Sequence, residues 1–441
     1  MDFEKIKEAL IAAADRVGVG EYEIYARIGE SIGAETLKDE ISSFSSGVGS
    51  SVSFRCIVDG KQGSAVTEQA SEDAMEALVL SAVSNAKCID STDEIEIFSG
   101  SEHYESVDNG RCELTDAKVI RDNALRLQRA IYAQDEKVTD GTQTSVFSET
   151  MQVYLYNSYG LSLSNRIGVS GAYANAVVRD GEEAQEHFEI AEGEDYAQFE
   201  PLAAKSVKGA VEKMGASVPP SGEYDILFSG KQFRAFLSAF SSAFSAKQAQ
   251  LGLSLLAGKE GEKVAADIVT IVDDPMREGS TMKWHFDGEG VATYRKNVIE
   301  NGVLKTLLYD LTTAKKANAQ STGNGKSGGG VKVFNFSLVP GQDSEEEMLA
   351  SIENGIYITE CKGFHAGANA VTGDFSIESA GFRIRGGKRC EPIKSFTVAG
   401  NFFDLLKRID RIGDTVDWGL PATTAFGSPA VLVRGMKVAG K

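Results

Sequence analysis

The chain has 441 residues, of which 42% are apolar and 25% charged, a composition typical of a globular protein with room for two domains. Its net charge of −19 argues against binding to nucleic acid or to an anionic membrane surface, because both require a basic face. No apolar run is long enough for a membrane helix, and five scattered cysteines without a CxxC pair indicate a cytoplasmic, reducing location rather than a disulfide framework.

The first half mixes helices and strands. Apolar residues at helical spacing predict an amphipathic helix over MDFEKIKEALIAAADRVGVG, and its acidic residues argue against a signal peptide. Asp59-Gly60 separates two strand-like runs and predicts a hairpin. Ser71 is placed to cap the helix that follows, which carries acidic residues in its first turn.

Pro219-Pro220 is the best candidate for a domain boundary. It stops a helical stretch and precedes a new strand, because consecutive prolines force an extended backbone. We therefore predict an N-terminal α+β domain over residues 1–218 and a strand-rich C-terminal domain over residues 219–441.

In the second half, Phe233–Gly252 reads as one helix with an apolar stripe of phenylalanines on one face and small serines on the other. No His, Asp or Glu occurs between Asp225 and Glu260, so this helix offers no group for acid–base or metal chemistry. Packing in a core or at an interface is the economical interpretation.

Further along, hairpin and capping signals continue to the end of the chain. Asn301-Gly302 predicts a hairpin, Ser344 with Glu347 a capping box, and Asn401 the start of a helix. Strands joined by hairpins with few helices between them predict an α+β fold with mixed or antiparallel sheets and flanking helices, rather than a doubly wound sheet.

The Gly-rich stretch AQSTGNGKSGGG resembles two catalytic motifs only formally. A phosphate loop fails because Gln320 stands where its first glycine belongs, and a GxSxG elbow around Ser327 fails because glycines defeat the helix that must follow. The alternative is a flexible loop whose amides can hold a main chain or a carboxylate.

The remaining candidates are polar residues in Gly-bearing turns, which are the usual place for binding residues, although solvated turns without a function look the same. No two of the four histidines share a helix at metal-binding spacing, so we predict no metal site. The candidates for a peptide cleft or partner surface are His285, Asp287, Glu289, Ser321, Thr322, Asn324, His365, Asn369 and Asp374.

Several segments, in order, resemble the TldD/PmbA family of peptidase-related modulators of DNA gyrase. They are FRCIVDGKQGSA, WHFDGEG with NVIENGVL, QSTGNG, FNFSLVPG, HAGANAVTGDFS with the following AGF, FTVAGNFFDLLKRI and FGSPAVLV. TldD-like members carry a His-Glu-x-x-x-His zinc motif early in the second domain. Here the corresponding region is Phe233–Gly252, which has neither residue type, and no Gly-Cys-Gly-type segment is apparent in HAGANAVTGDFS.

The resemblance is therefore to the PmbA (TldE) branch. It implies a non-catalytic, cofactor-free subunit that forms a heterodimer with a zinc-carrying TldD-like protease and acts on unfolded peptides. It also implies that the gyrase label concerns peptide toxins and inhibitors, not DNA binding. Two alternatives stay open: a hydrolase with its own distributed site using His285, His365, Asp287 and Asp374, and a homodimeric binding or scaffold protein.

Overall fold

The computed structural model describes residues 3–69, 71–90 and 93–441, and it has the α+β architecture that the sequence predicts. The helices are α1 (Phe3–Val17), α2 (Glu72–Cys88), α3 (Ala117–Tyr132), α4 (Tyr196–Phe199), α5 (Pro201–Val211), α6 (Gly230–Phe240), α7 (Ala246–Gln250), α8 (Leu311–Ala317), α9 (Glu345–Ala350), α10 (Phe364–Gly367) and α11 (Phe402–Lys407). The strands of the first half are β1 (Glu21–Leu37), β2 (Glu40–Val58), β3 (Lys61–Thr67), β4 (Gln143–Asn157), β5 (Ser162–Asp180) and β6 (Glu183–Glu192). Those of the second half are β7 (Gly222–Phe228), β8 (Ile271–Asp273), β9 (Lys296–Glu300), β10 (Val303–Leu304), β11 (Asn335–Leu338), β12 (Asn354–Lys362), β13 (Asp374–Arg385), β14 (Lys388–Asn401), β15 (Ile409–Ile412), β16 (Asp417–Trp418), β17 (Ala425–Ser428) and β18 (Val431–Ala439).

The first sheet is antiparallel and has the strand order β3-β2-β1-β4-β5-β6. Helices α1 and α2 pack on one part of it, and α3 and α5 on another. The predicted hairpin is confirmed, with Asp59 and Gly60 both at positive φ. The predicted cap is confirmed as well, since Ser71 Oγ accepts from the Ala74 amide. The predicted first helix is observed from Phe3, while Met1 and Asp2 lie outside the described residues.

The second half contains two mixed sheets. One has the order β10-β9-β8-β11-β17-β16 with a parallel pair β11–β17, and the other has the order β14-β13-β12-β7-β18-β15 with a parallel pair β7–β12. The Asn301-Gly302 hairpin, the Ser344–Glu347 capping box and the Asn401 cap are all confirmed. Every strand of the first sheet precedes Pro219 and every strand of the other two follows it, while the division into two domains stays a prediction.

The largest apolar core lies within the second half and includes side chains of α6, β7, β8, β9, β11, β12 and β13. A separate cluster joins the halves, because Trp284 and Phe286 pack with Val153 and Leu155 of β4. The Tyr104 hydroxyl strengthens this junction by donating a 2.7 Å hydrogen bond to the Gly290 carbonyl oxygen. A search of the described residues finds no helix with the length and apolarity that crossing a membrane requires.

The prediction of one continuous helix over Phe233–Gly252 is wrong in its second half. Helix α6 ends at Phe240, a short 3-10 turn follows, and Ser245 is extended before α7 begins. The break has a tertiary cause: Ser245 forms a parallel bridge to Leu308, and the Ala246 amide donates to the Leu308 carbonyl oxygen at 2.9 Å. These long-range hydrogen bonds replace the helical ones.

Candidate functional site

The broken helix has one face in the core and one face on a groove. Its aromatic stripe is fully buried, and its outward side chains are small or polar: serine, alanine, glutamine, lysine and arginine. The stripe residues are Phe233, Phe236, Phe240 and Phe244, each 0% exposed.

Two cavities lie along the outward face. The larger, of about 810 Å³, is lined by Arg234 and Ser238 of α6 together with residues of β6 and β12. The smaller, of about 420 Å³, we call the lysine pocket, and Thr424 lines both. The lysine pocket is lined mainly by Ser241, Ser242, Ser245, Lys247, Lys326 and Lys332.

Asp287 is enclosed by a tight turn beside this groove and is only 2% exposed. Its carboxylate accepts from the backbone amides of Glu289, Val291 and Gly325 at 2.9, 3.0 and 2.7 Å. Burial raises the pKa of Asp287 to about 6, and the three amide donors oppose that rise. The carboxylate therefore serves to hold the turn against the Gly-rich loop.

Glu289 is equally enclosed and reaches the start of α8. Its Oε2 accepts from the Leu311 amide at 2.9 Å. Burial, followed by the neighbouring Asp287 carboxylate, raises the pKa of Glu289 to about 8. Near neutral pH this side chain is mostly protonated, which reduces the repulsion between two buried acids.

Asn324 is the centre of a buried polar network. Its amide donates to Asp273 Oδ2 at 2.7 Å and to the Lys332 carbonyl oxygen at 2.8 Å, while its oxygen accepts from Lys296 Nζ at 3.1 Å. Lys296 also pairs with Asp273, whose Oδ2 lies 3.5 Å from its Nζ. Thr322 completes the network by donating to Asn324 Oδ1 at 2.8 Å.

Ser321 and Thr322 fasten the beginning of the Gly-rich loop to the strand-like segment at Tyr309. The Tyr309 amide donates to Thr322 Oγ1 at 2.8 Å, and Ser321 Oγ donates to the Tyr309 carbonyl oxygen at 3.2 Å. His285 precedes the turn that encloses Asp287, and its buried Nδ1 has no hydrogen-bond partner among the described residues. Burial lowers the pKa of His285, so its ring is neutral near pH 7.

The structure thus gathers six of the predicted site residues in one buried region and places the other three elsewhere. His365 lies on the exposed α10, and Asn369 closes an exposed turn by accepting from the Val371 amide at 3.0 Å. Asp374 accepts from Asn401 at 3.0 Å, and hydrogen bonds from Asn401 and Thr372 lower its pKa. In the described part of the chain these three share no hydrogen bond or cavity with the other six.

Models of three PmbA/TldA metallopeptidase domains match this chain: domain 1 at residues 22–86, the central domain at 113–214 and the C-terminal domain at 221–440. A metalloprotease from Methanothermobacter thermautotrophicus is 32% identical over 331 residues, covering 70% of this chain and 71% of that protein. The chain belongs to the PmbA/TldD family.

Other relatives of this PmbA/TldD family chain cover nearly its whole length. A metalloprotease from Methanocaldococcus jannaschii is 27% identical over 93% of this chain and 92% of its own. The crystal structure of a Thermotoga maritima protein, named for a proposed role as modulator of a DNA gyrase, has a TM-score of 0.89 at 30% identity and covers 99% of this chain and 100% of its own. TldE from Thermococcus kodakarensis has the same fold, with a TM-score of 0.89 at 23% identity and the same coverage.

The family name implies a metal, but the groups on the outward face of α6 and α7 do not fit zinc. Zinc in proteins takes Cys sulfur, His nitrogen or carboxylate oxygen, whereas this face presents hydroxyl, amide, ammonium and guanidinium groups. The potential ligands of the larger cavity, Glu186, His187, Glu360 and Cys361, come from β6 and β12 instead. Across the ranges that the structure describes, no three His, Cys, Asp or Glu side chains are grouped to hold a metal ion. No catalytic step is therefore derived through a metal in this PmbA/TldD chain.

Sequence reasoning missed the basic residues of this region. Lys296 and Asp273 come from different strands, and Lys332 lies against the rings of Trp284 and Phe334, with Nζ 4.6 and 4.4 Å from their centroids. The available signal was weak: Asp273 ends an apolar run, and Lys296 and Lys332 open or precede strands. What this arrangement offers chemically is positive charge and hydroxyl donors in the lysine pocket, with Asp273, Asp287 and Glu289 buried beside it.

Proposed function

We propose that this chain is the metal-free, non-catalytic subunit of a two-chain, cytosolic peptidase of the PmbA/TldD family, and that a TldD-like partner carries the zinc. Its substrates are unfolded, extended peptides. The proposal rests on the residue types of Phe233–Gly252. This segment contains no zinc ligand, although the surrounding family fold is intact.

The groove supports a role in substrate binding. Cavities of about 810 and 420 Å³ adjoin along the outward face of α6 and α7, which is enough room for several residues of an extended chain. Serines on that face let a main chain approach closely, and recognition through backbone hydrogen bonds makes little demand on peptide sequence.

Charge and cysteine usage support the compartment and the choice of partner. The net charge of −19 disfavours nucleic acid, which agrees with a peptide substrate. All five cysteines are free thiols in the described structure, as suits a reducing cytosol.

Co-expression with a TldD-like subunit from the same organism tests the proposal. We expect the two chains to co-purify with zinc in the partner, and the pair to cleave an unfolded peptide in a chelator-sensitive manner. This chain alone is expected to have neither stoichiometric zinc nor cleavage.

Two matched variants, His285→Ala and His365→Ala, separate this proposal from a distributed metal site. Both are expected to leave the zinc content and the cleavage rate of the pair unchanged. Zinc in the isolated chain that disappears in His365→Ala would contradict the proposal, and so would recovery only of homodimers from the native cell.

A further inference from the structure

The lysine pocket has an unusual charge for this protein. The chain carries 64 acidic and 45 basic residues, yet three lysines and no carboxylate are among the described residues that line this cavity. A basic cavity in a strongly acidic chain concentrates positive potential where a ligand enters, and it repels a divalent cation.

Each lysine reaches the pocket from a different element. Lys247 comes from α7, Lys326 from the exposed Gly-rich loop, and Lys332 from the segment before β11. In the described structure none of the three forms a direct ion pair with a carboxylate, so their charges remain available.

Lys332 is the most constrained of the three. Its ammonium lies over the rings of Trp284 and Phe334 and donates no hydrogen bond among the described residues. Burial, with smaller contributions from Arg27 and Lys326, lowers the pKa of Lys332 to about 8, while Asp287 and Asp273 oppose the change. A bound anion would supply the hydrogen-bond acceptor that the Lys332 ammonium lacks among the described residues.

The rest of the pocket supplies uncharged donors and space. Ser241, Ser242 and Ser245 line it from the broken helix. Gly329 and Gly330 line it from the loop at positive φ, and no heavy atom lies within 4 Å of where their side chains would begin. Hydroxyl and ammonium donors around an open, acid-free cavity are the groups that a carboxylate accepts from.

We propose that the lysine pocket binds a carboxylate of an extended peptide, either its C-terminal α-carboxylate or an acidic side chain. This inference rests on the proposed function and deepens it. In this role the subunit binds a negatively charged group of the substrate and so positions the peptide for its partner.

Four fluorescently labelled peptides that share one unfolded sequence test the inference on the full chain by anisotropy. One ends in a free carboxylate, one in an amide, one carries a penultimate Glu and a terminal amide, and one carries Gln at that position with the amide. We expect the charged peptides to bind about tenfold more tightly than the neutral ones, with an advantage that shrinks as salt is raised. Tighter binding of the free-acid peptide than of its amide identifies the C-terminal carboxylate as the bound group. Tighter binding of the Glu peptide than of the Gln peptide identifies the side-chain carboxylate.

Variants of the pocket identify its residues. The double variant Lys247→Met with Lys326→Met changes two exposed lysines and is expected to remove most of the carboxylate advantage. Lys332→Met is expected to lose the advantage, whereas Lys332→Arg, which keeps the positive charge, is expected to retain it. Lys305→Met, at an exposed lysine that pairs with Glu300, is the control and keeps the advantage. The thermal unfolding midpoint of each variant shows whether it folds.

Two failures are distinguishable. Equal affinity for all four peptides overturns the carboxylate site and leaves the proposed function standing. An advantage that survives the double variant also overturns the site as placed here. Absence of binding by every peptide, together with a partner that cleaves equally well without this chain, overturns the proposed function itself and the carboxylate site with it.

Discussion

The buried polar network and the lysine pocket lie on two sides of the Gly-rich loop and treat charge in opposite ways. In the network, which comprises Asp273, Asp287, Glu289, Lys296 and Asn324, charged and polar groups are below 7% exposed and bonded to one another or to backbone amides. In the pocket, three lysines face an open cavity without a carboxylate.

The difference teaches which polar residues are free to act. Turns rich in Asp, Glu, Asn and Gly attract attention in a sequence, but here their side chains form the hydrogen bonds that hold the loop in place. The groups left for a ligand are lysines and serines, which look ordinary in the sequence. Changes to the network are thus expected to affect stability, and changes to the pocket to affect binding.

The largest effect on stability is expected from Lys296→Met. The variant leaves Asp273, which is 0% exposed, without its cation, and an uncompensated buried charge costs about 3–5 kcal/mol. Urea unfolding followed by tryptophan fluorescence measures this loss, since both tryptophans, Trp284 and Trp418, lie in the second half. The control is Lys305→Met, whose exposed pair with Glu300 contributes below about 1 kcal/mol. Equal losses of unfolding free energy in the two variants would contradict the proposed contrast between the network and the surface.

Gly288→Ala and Gly328→Ala make the same chemical change, the first in the turn that packs against the Gly-rich loop and the second within the loop itself. At Gly288 a methyl group would overlap the backbone of Lys326 and Ser327, and such overpacking costs about 2–3 kcal/mol. At Gly328 no heavy atom lies near, and only the positive φ of 85° opposes alanine, at about 1 kcal/mol. Thermal unfolding compares the two, and a more damaging change at Gly328 would contradict this interpretation of the loop.

Glu289→Gln tests whether burial sets the charge state of the network. Because the folded-state pKa of Glu289 is raised to about 8, the native protein keeps a proton that the unfolded chain has lost, so the unfolding free energy falls as pH rises from about 4.5 to about 8. Gln carries no charge, so the variant should lack this part of the decline and gain on the wild type as the pH rises across that window, by at most about 1.4 kcal/mol per pH unit.

The comparison for Glu289→Gln is Glu347→Gln, because hydrogen bonds from Ser344 lower the pKa of Glu347. Its contribution has the opposite sign: it is present above the unfolded pKa and is lost as pH falls. Urea unfolding at several pH values measures both. If the unfolding free energies of the wild type and Glu289→Gln change with pH in parallel, then Glu289 is ionised in the folded protein across this pH window.

Local signals in the sequence predicted much of the fold. Hairpins at Asp59-Gly60 and Asn301-Gly302 and the caps at Ser71, Ser344 and Asn401 depend on a few neighbouring residues, and the structure has all of them. Non-local pairing was out of reach. Strand β1 lies beside the distant β4, and the bridge between Ser245 and Leu308 interrupts a stretch whose periodicity is helical throughout.

The candidate region was predicted only in part for the same reason. The sequence marks His285, Asp287 and Glu289 as polar, but it does not show that the Gly325 amide, 38 residues away, binds the Asp287 carboxylate. Lys332 becomes notable only when the fold places it over Trp284, with no hydrogen-bond acceptor for its ammonium among the described residues. The absence of zinc ligands from α6 could be read directly from the sequence, because it depends only on the residue types present.

The smallest effect on stability, and the most direct test of the groove, is expected from Ser242→Phe. Ser242 is exposed and lines the lysine pocket, so a ring there fills space outside the core and should change the unfolding free energy by less than about 0.5 kcal/mol. In a cavity of about 420 Å³ the ring competes with a peptide, so we expect binding to weaken about tenfold. Ser238→Phe is the comparison, because Ser238 of α6 lines the larger cavity, where a ring leaves more room for a peptide and a smaller loss of binding is expected. If Ser242→Phe binds peptide as the wild type does, the peptide does not pass through the lysine pocket. A loss of stability instead would mean that Ser242 belongs with the buried network after all.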